Sequence, residues 1–432
     1  MLKFLRKLLG NRRGIALLIV AGAMPMIVGC AGLANDTIQW SLWKRQLQRA
    51  ADSAAIADVY DRVNASGPYS TVPATVAHDL TLNQHTWMTN KSGYPLIIYP
   101  SNSGVMQNQV KVSLAVQQSL PFSSLFMTAA PTIVANSTAA GIPSGKYCVV
   151  ALETPASKSG ITIGGNSRSD MNCGMIRNSL ATNSALSNGN SSSVHATVIA
   201  TVGGVQASNS WSVDQYNPYS PPLVDTCASL PMPTPNGCTA FPNTRNLDFS
   251  NAVTYPGHVS GQTVCFNSDM QIQGNVVLGP ATYVFDAASI KMTSSGASLS
   301  CNGCTIILTS STAATNPGSI GTVSISGSRL NLTALTSGTY NGIALYQVRR
   351  AQDAANNIIN GNSGSLVTGT LYFPSQELTF NGGGNTAAIC TQFVTRRIIF
   401  NGNGTTTNKS IKGSACPYND GIGGGLLVRL VA

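Results

Sequence analysis

A short phrase of alternating apolar residues that runs into a glycine turn recurs along this chain. It stands as ITIGGN, MQIQGN, VSISGS, NIINGN, LTFNGG and IIFNGN from residues 161, 270, 323, 357, 378 and 398. Successive glycines of the repeat are separated by 22, 31, 34, 21 and 20 residues, counted through Gly274, Gly296, Gly327, Gly361, Gly382 and Gly402. A period of about 20 residues with short strands is typical of a parallel β-helix, in which longer intervals are loops at a corner.

The apolar residues of the phrase should point inward and stack into one continuous core. The positions expected inside are Ile272, Val323, Ile325, Leu378, Phe380, Ile398 and Phe400. Asn and Gly are expected at left-handed or tight corners, where a Cβ atom would clash. The alternative fold is a β-sandwich built from Asn-Gly hairpins.

Low charge accompanies the repeats. Only 9% of the 432 residues are charged, whereas 43% are hydrophobic and 42 are glycine. The apolar fraction is ordinary, so the composition does not predict disorder. Because a cytosolic enzyme usually has about a quarter of its residues charged, the composition favours a β-rich, extracytoplasmic protein.

The net charge of +10 is concentrated near the N-terminus. The first 62 residues contain nine Lys or Arg and four Asp, which leaves +5. Such a bias is typical of a segment that flanks a membrane. A nucleic-acid site would need basic residues interleaved with aromatic residues on a folded domain, so we predict no nucleic-acid partner.

Residues 14–34 carry no charge and are long enough to cross a lipid bilayer once as a helix. Pro25 should kink this helix, which transmembrane helices tolerate. Five positive residues precede the run, so residues 1–13 should stay in the cytoplasm and the rest should be exported. We predict a single-pass protein of a bacterial inner membrane, with its C-terminal domain in the periplasm or at the cell surface. The predicted anchor includes Ile15, Leu18, Pro25, Cys30 and Ala34.

Two processing signals compete with a retained anchor. The run from Ile27 to Cys30 fits a bacterial lipobox, which would make Cys30 a lipidated N-terminus, although the apolar run continues through Ala34. Arg13-Gly14 resembles a prepilin cleavage site, but Ile19 stands where prepilins usually have Glu. We expect a retained anchor, and the sequence leaves the lipidation of Cys30 open.

A second helical pattern continues over residues 35–64. Apolar residues recur there at three- and four-residue steps and form one seam, at Trp40, Trp43, Leu47, Ala50, Ala54 and Ala57. Trp40 and Trp43 stand where an interfacial aromatic belt would lie. Two interpretations stay open: the seam packs on its own domain, or it packs in an assembly of like helices.

The same N-terminal segment carries a recognisable order of motifs. These are Arg12-Arg13-Gly14, Gly32-Leu33-Ala34, Asp36, Leu47-Gln48 and Ala50-Ala51-Asp52-Ser53-Ala54-Ala55. Over about 50 residues this order resembles the TadG-like family of Flp pilus-assembly proteins. One departure is Asn35, which stands where an apolar residue is common.

The rest of the chain divides into two predicted parts. Residues 65–145 alternate with period two and predict a small β module. A long helix followed by a small sheet is a pilin-type α+β layout, which the resemblance also implies. Residues 146–432 contain the repeats, and segments such as 147–152 and 279–285 resemble the β-helical C-terminal region of longer TadG-like proteins. The resemblance therefore implies a right-handed parallel β-helix-like domain.

Nine of the ten cysteines lie beyond residue 147, which suggests an oxidising compartment with several disulfides. The resemblance implies the pairs Cys148–Cys173 and Cys238–Cys265. The other five beyond residue 147 are left unassigned, at Cys227, Cys301, Cys304, Cys390 and Cys416. The Cys301-Asn302-Gly303-Cys304 spacing also occurs in redox and zinc motifs, but the chain offers neither a βαβ context nor a second pair, which favours a structural role.

Catalytic chemistry was sought among the acidic residues, since polysaccharide-cleaving sites need clustered carboxylates. Beyond Cys148 no two acids lie within four residues of each other. The best group is Arg349, Arg350 and Asp353, which a surface loop explains. His195 and His258 have no visible triad partners. We predict no catalytic residue, metal site or cofactor.

These observations predict a non-catalytic structural or accessory component of a Flp (Tad-type) pilus or secretion apparatus. Its expected partners are the lipid bilayer and other pilus-assembly or pilin-like proteins. The alternative is a membrane-tethered adhesin, or a rod that binds surface glycans.

Overall fold

The architecture is taken from a computed structural model. It describes residues 12–64, 72–85, 88–125, 127–143, 147–187, 192–206, 208–242, 247–248, 262–354, 357–361, 365–382, 386–402, 405–408 and 426–431. The chain forms two units, of which the first is Met1–Ile142 with Val428–Ala432 and the second is Pro143–Leu427. They are named the small domain and the parallel domain below.

The secondary structure combines two helices near the N-terminus with many short strands. The helices are α1 (Arg12–Asn64) and α2 (Val72–Asn83), and short 3₁₀ turns occur at Ser123–Leu125 and Pro317–Ser319. The strands are β1 (Leu96–Ile98), β2 (Gln107–Gln117), β3 (Thr132–Pro143), β4 (Tyr147–Ala151), β5 (Ile161–Ile163), β6 (Arg168–Asp170), β7 (Gly174–Arg177), β8 (Ala185–Ser187), β9 (Ser193–Thr201), β10 (Trp211–Asn217), β11 (Leu247–Asp248), β12 (Thr263–Phe266), β13 (Met270–Ile272), β14 (Asn275–Leu278), β15 (Thr282–Asp286), β16 (Ile290–Met292), β17 (Ser298–Asn302), β18 (Thr305–Thr309), β19 (Val323–Thr333), β20 (Ile343–Gln347), β21 (Asn357–Gly361), β22 (Leu366–Gly382), β23 (Thr386–Asn401), β24 (Thr405–Asn408) and β25 (Leu426–Leu430).

The small domain packs α1 and α2 on a sheet of order β1-β2-β3-β25. The β1–β2 and β2–β3 pairs are antiparallel. Alternate residues of β2 face the helix, because side chains of a strand point to opposite faces in turn. The core contains Val110, Val112, Leu114 and Val116 of that strand together with small residues of α1.

Two features of the small domain differ from the sequence prediction. Residues 72–83 form a helix, whereas short strands were expected throughout 65–145. Val76 and Leu80, one helical turn apart, are buried in the core, and this period of four was overlooked. The last strand, β25, completes the small sheet, although residues 146–432 were all assigned to the repeat domain.

The parallel domain consists of parallel strand pairs throughout the residues that the structure describes. One ladder runs β10-β9-β7-β4-β23-β22-β20-β18-β15-β12. A second runs β8-β5-β23-β22-β21-β19-β16-β13. A third runs β9-β6-β24-β23-β22-β19-β17-β14-β11. The β-sandwich alternative needs antiparallel hairpins and does not fit these pairings.

The repeated phrases lie in register along the second ladder, as the sequence predicts. Ile359, Phe380, Phe400 and Ile163 are successive partners. The predicted inward residues Ile272, Val323, Ile325, Leu378, Phe380, Ile398 and Phe400 are all buried in one cluster. The aromatic rings of Phe380, Phe393 and Phe400 pack edge to face, with centroids 5.1–6.4 Å apart. Burial of this apolar surface is the main stabilising contribution.

The turn residues only partly follow the prediction. Gly327 and Gly402 have left-handed φ angles of 68° and 115°, as expected for corner glycines. Asn360, Asn381 and Asn401 do not occupy left-handed corners; they are successive partners within strands. Asparagine repeated at one register position forms a ladder of like side chains along the strands. The sequence pattern alone did not distinguish such a ladder from a series of turns.

The order of strands in the stack differs from their order in the chain. Strand β23 pairs with β4 and β5, although more than 200 residues separate them. The first strands of the parallel domain, β4 and β5, therefore lie in the middle of the stack. Residues 147–217 build outward in one direction, and residues 263–408 start at the opposite end and build back to the middle.

A crossover segment, residues 218–242, connects the two ends and lies along the stack. Leu223 exchanges backbone hydrogen bonds of 2.8 and 2.9 Å with the Asn178 side chain. The Tyr372 hydroxyl donates to Asp225 (2.7 Å). Arg349 donates to the carbonyl oxygens of Cys227 (3.1 Å) and Leu230 (2.6 Å).

Candidate functional site

The predicted anchor lies in one continuous helix. The structure describes α1 from Arg12 to Asn64, so Pro25 is inside it and does not end it. From Ile19 onward this helix is long and apolar enough to cross a membrane, judged by length and composition. Ile15 and Leu18 belong to its backbone, and Cys30 and Ala34 are exposed. Cys30 is a free thiol in the structure.

The seam of the second half of α1 packs on the helix's own domain. Trp43, Leu47, Ala50 and Ala54 are at most 6% exposed and contact the small sheet. Trp40 packs against the same core and is half-buried. The Trp43 ring is part of the core of the small domain. Ala57 is only half-buried, and Ala51, Ala55 and Val59 are buried instead.

The seam extends further toward the membrane than the sequence analysis placed it. Gly32 is buried, and a Cβ atom there would lie 2.1 Å from the Phe122 ring. Phe122 belongs to the β2–β3 loop (residues 118–131). Only glycine allows the ring to lie this close to the helix backbone. Gly32 is thus the docking point of this loop on the apolar part of α1.

Asp36, one turn further along α1, fixes the same loop by hydrogen bonds. Its Oδ2 accepts the backbone N–H groups of Phe122 (3.1 Å) and Ser123 (2.6 Å). Asp36 is completely buried. Ser123 begins a 3₁₀ turn, whose first N–H groups have no partner within the turn. The carboxylate therefore satisfies groups that would otherwise be unpaired.

Sequence reasoning named Gly32 and Asp36 as motif residues without giving them a role. The signal was their spacing. Positions 32, 36, 40 and 43 continue the seam at steps of four, four and three, which places them on one helix face. The loop partner gave no such signal, because Phe122 is 86 residues away from Asp36.

Three disulfides join described residues of the parallel domain. Cys148–Cys173 and Cys238–Cys265, the pairs implied by the resemblance, have Cα atoms 5.8 and 4.4 Å apart. Cys301 is bonded to Cys304, which favours the structural interpretation of that motif. Cys390 is also disulfide-bonded. Cys227 is a free thiol whose pKa burial raises to about 11, so it is unreactive at neutral pH, and Cys416 lies outside the described residues.

A cluster of five charged side chains lies where β23 meets β4. Glu153 accepts hydrogen bonds from Arg397 and from Arg396 (3.1 Å). Arg397 also donates to Asp353 (2.6 Å) and Glu377 (3.0 Å). Glu153 follows β4, Glu377 lies in β22 and Asp353 follows β20. In the first ladder these strands stand in the order β4-β23-β22-β20, and both arginines lie in β23. This cluster is named the ion clamp.

The ion clamp corrects the prediction for Asp353, which is neither isolated nor grouped with Arg349. Hydrogen bonding from Arg397 lowers the pKa of Asp353. Burial alone would lower the pKa of Arg397, but the hydrogen bonds that it donates to its carboxylate partners raise it. A general acid needs a raised carboxyl pKa. The ion pairs of the clamp connect neighbouring strands of the parallel domain.

Other candidate catalytic groups were inspected among the described residues. His195 Nδ1 lies 2.9 Å from Asp170 Oδ1, a partner from the neighbouring strand, and both side chains are nearly half exposed. His258 lies outside the described residues. Within the described ranges, no group of three His, Cys, Asp or Glu side chains is placed to hold a metal ion.

An open cleft of about 610 Å³ lies beside β9 and β10, at one end of the stack. Its walls include the exposed rings of Tyr216 and Tyr219. The polar groups are Thr182, Gln206, Ser208 and Asn209, and none of the described residues that line the cleft is charged. Tyr219 has a left-handed φ of 57°, which is rare for a residue with a large side chain.

Comparison with known proteins identifies the N-terminal segment. The family model described as Flp pilus-assembly TadE/G-like matches residues 14–57. No curated protein and no solved structure matches the chain. The matched residues contain the apolar run, Gly32, Asp36 and the seam of α1. Residues 14–57 are therefore similar to the TadE/G-like family of Flp pilus-assembly proteins.

Proposed function

We propose that this protein is a membrane-anchored, non-catalytic structural component of a Flp pilus or secretion apparatus, with both domains outside the cytoplasm. The observation that supports this most strongly is the position of the family segment. Residues 14–57 coincide with the part of α1 that first forms the apolar span and then the helical layer of the small domain. One helix thus links a membrane to a folded module.

The parallel strand pairings and ion pairs of the parallel domain support a structural role. We propose that its three parallel ladders form a right-handed β-helix. Arg396 and Arg397 form ion pairs with the carboxylates of its charged cluster, which supports a role in joining strands. We propose that this domain presents a polar surface to other pilus-assembly proteins.

The topology is tested by alkaline phosphatase fusions, which are active only outside the cytoplasm. A fusion after residue 65 should be active, and one after residue 10 should be inactive. Mass spectrometry of the mature protein should find an N-terminus before the apolar span. A lipidated N-terminus at Cys30 would contradict the retained anchor.

The assembly role is tested by removing the parallel domain while keeping the small sheet complete. Residues 143–425 are replaced by a short Gly-Ser linker, so that β25 can still pair with β3. Fibre assembly and surface adherence should be lost, while the shortened protein stays in the membrane fraction. A matched control carries Arg350→Ala, an exposed change in the intact domain. Normal fibres from the shortened protein would refute the proposed role of this domain.

A second candidate function, glycan binding, is favoured by the cleft beside β9 and β10. Two exposed tyrosine rings next to amide and hydroxyl groups suit the apolar faces and hydroxyl groups of a neutral saccharide. Binding of the full chain to a panel of neutral surface glycans should weaken strongly in Tyr219→Ala. Tyr99→Ala, at an exposed ring of the small domain, is the control. Equal binding by wild type and Tyr219→Ala would exclude the cleft.

A further inference from the structure

We propose that the β2–β3 loop is a second membrane contact, which inserts Leu125 and Met127 into the outer lipid leaflet beside the end of the spanning helix. The inference deepens the proposed function and rests on its membrane anchor. It assigns a lipid-binding role to a loop to which the sequence analysis gave no function.

The contacts of the loop place it at membrane level. Phe122 packs on Gly32, which lies within the uncharged run of residues 14–34. Asp36 holds the backbone of Phe122 and Ser123 directly beyond the end of that run. A loop docked on these two residues lies beside the last turn of the span, because residues four apart on a helix are about 6 Å apart along its axis.

The composition and exposure of the loop suit a lipid surface. Residues 118–131 contain no charged side chain. The exposed fraction of Leu125 is 75% and that of Met127 is 44%, although both are large apolar residues. On α1, Leu33 and Ile38 are also exposed. Exposed apolar side chains at the end of a membrane span form one continuous apolar surface with it.

Basic residues lie at the level expected for lipid headgroups. Lys44 follows Asp36 by about two turns of α1, and its ammonium group bonds the backbone of β3 at Val134. Lys91 donates to Thr132 at the start of the same strand (3.1 Å). Cations just above an apolar contact attract anionic lipids. A bilayer containing phosphatidylglycerol therefore matches both the apolar and the charged parts of this surface.

The hairpin at the opposite end of β2 provides an internal control. Val105 is 62% exposed and precedes β2, whereas the β2–β3 loop follows it. An 11-residue strand spans roughly 35 Å, so the two loops lie at opposite ends of the sheet. Val105 should therefore stay in water while Leu125 is in lipid.

The experiment uses the full chain in vesicles of phosphatidylethanolamine and phosphatidylglycerol. Cys30 and Cys227 are changed to Ala, and single cysteines are introduced by Ile27→Cys, Leu125→Cys or Val105→Cys. Each is labelled with an environment-sensitive fluorophore. Lipids with a nitroxide near the headgroup or near the chain end serve as quenchers.

We expect the label at residue 27 to be quenched best by the deep nitroxide and the label at residue 125 by the shallow one. The label at residue 105 should be quenched by neither. Adding Gly32→Val, which displaces the Phe122 ring, should reduce quenching at residue 125 and leave residue 27 unchanged.

The other outcomes separate the possible failures. Quenching at residue 27 without quenching at residue 125 overturns the loop contact and keeps the anchor. Absence of quenching at both positions overturns the anchor itself. A label at residue 125 that is shielded from water but not quenched by either lipid shows a protein partner in place of lipid, which also overturns the inference.

Discussion

Glu153 of the parallel domain and Asp58 of the small domain are both almost completely excluded from water, with exposed fractions of 2% and 0%. Glu153 is paired with two guanidinium groups. Burial instead raises the pKa of Asp58 to about 7, against a smaller opposing effect of Arg62. A buried charge destabilises a fold unless it is paired or neutralised. In the parallel domain the charge of Glu153 is paired with arginine side chains, whereas in the small domain the raised pKa of Asp58 favours its neutral, protonated form.

This difference follows from what each carboxylate joins. Glu153 connects strands that are 244 residues apart in the chain, at the place where the two halves of the stack meet. Asp58 lies in a helix whose neighbouring small residues already form the core. Charge pairing therefore stabilises the long-range junction, whereas the small domain should respond to pH.

The largest expected effect is that of Arg397→Ala, which leaves Glu153 buried with a single partner. Breaking one partner out of a buried charged cluster destabilises by about 3–5 kcal/mol. The free energy of unfolding of the parallel domain, measured by urea titration with circular dichroism, should fall by that amount. Arg350→Ala, outside the clamp, is the control and should change it little. A loss below about 1 kcal/mol in Arg397→Ala would contradict the role given to the clamp.

Loss of the disulfide at the far end of the stack should have a somewhat smaller effect. Cys238→Ser releases the crossover from β12, and closure of a 27-residue separation stabilises by about 3.6 kcal/mol in the chain-entropy model. Cys265 should then react with a thiol probe in the folded protein. An unreactive Cys265 in this variant would show that the pair is wrong.

The stability of the small domain should fall as the pH rises, which is opposite to the effect of a carboxylate whose pKa is lowered by folding. The pKa of Asp58 is raised from about 3.9 unfolded to about 7 folded, so its favourable contribution is complete below about pH 4 and is lost as pH rises through 7. The loss is on the order of a few kcal/mol. Melting followed by tryptophan fluorescence should show lower stability near pH 8 than near pH 5. Asp58→Asn should remove this slope, and an unchanged slope would refute the assignment.

Asp36→Ala should lower the free energy of unfolding of the small domain by about 1–3 kcal/mol, because it leaves two buried backbone N–H groups unpaired. The measurement is the stability of the small domain in detergent micelles. Asn35→Ala, at the exposed neighbouring position, is the matched control. Equal stability of the two variants would contradict the docking of the loop on Asp36.

The smallest expected effect is that of Asp353→Ala, whose side chain is 40% exposed. Solvent screening limits such a pair to about 1 kcal/mol or less. The sequence analysis placed this residue with Arg349 and Arg350 in a surface loop. The change in unfolding free energy caused by Asp353→Ala should add to that of Arg350→Ala. It should not add to that of Arg397→Ala, because Asp353 and Arg397 are in contact.

Much of the local architecture could be predicted from the sequence. The apolar run and the seam of α1 follow from composition and helical spacing, and the inward residues from Ile272 to Phe400 follow from the period of the repeats. Helix α2 was missed because Val76 and Leu80 lie in a region whose other segments alternate with period two. The return of β25 to the small sheet gave no signal, since a five-residue apolar strand fits either domain.

The sequence by itself determined the elements of this protein: a membrane-length helix, strands of the repeats, and the residues that face inward along them. These depend on neighbours within one or two turns of the chain, so spacing and polarity define them. Only the tertiary structure decided that β23 lies against β4, that Asp353 shares Arg397 with Glu153, and that Phe122 docks on Gly32. Those contacts join residues that are tens to hundreds of positions apart. Their free energy depends on distance and burial in space, which no pattern along the chain records.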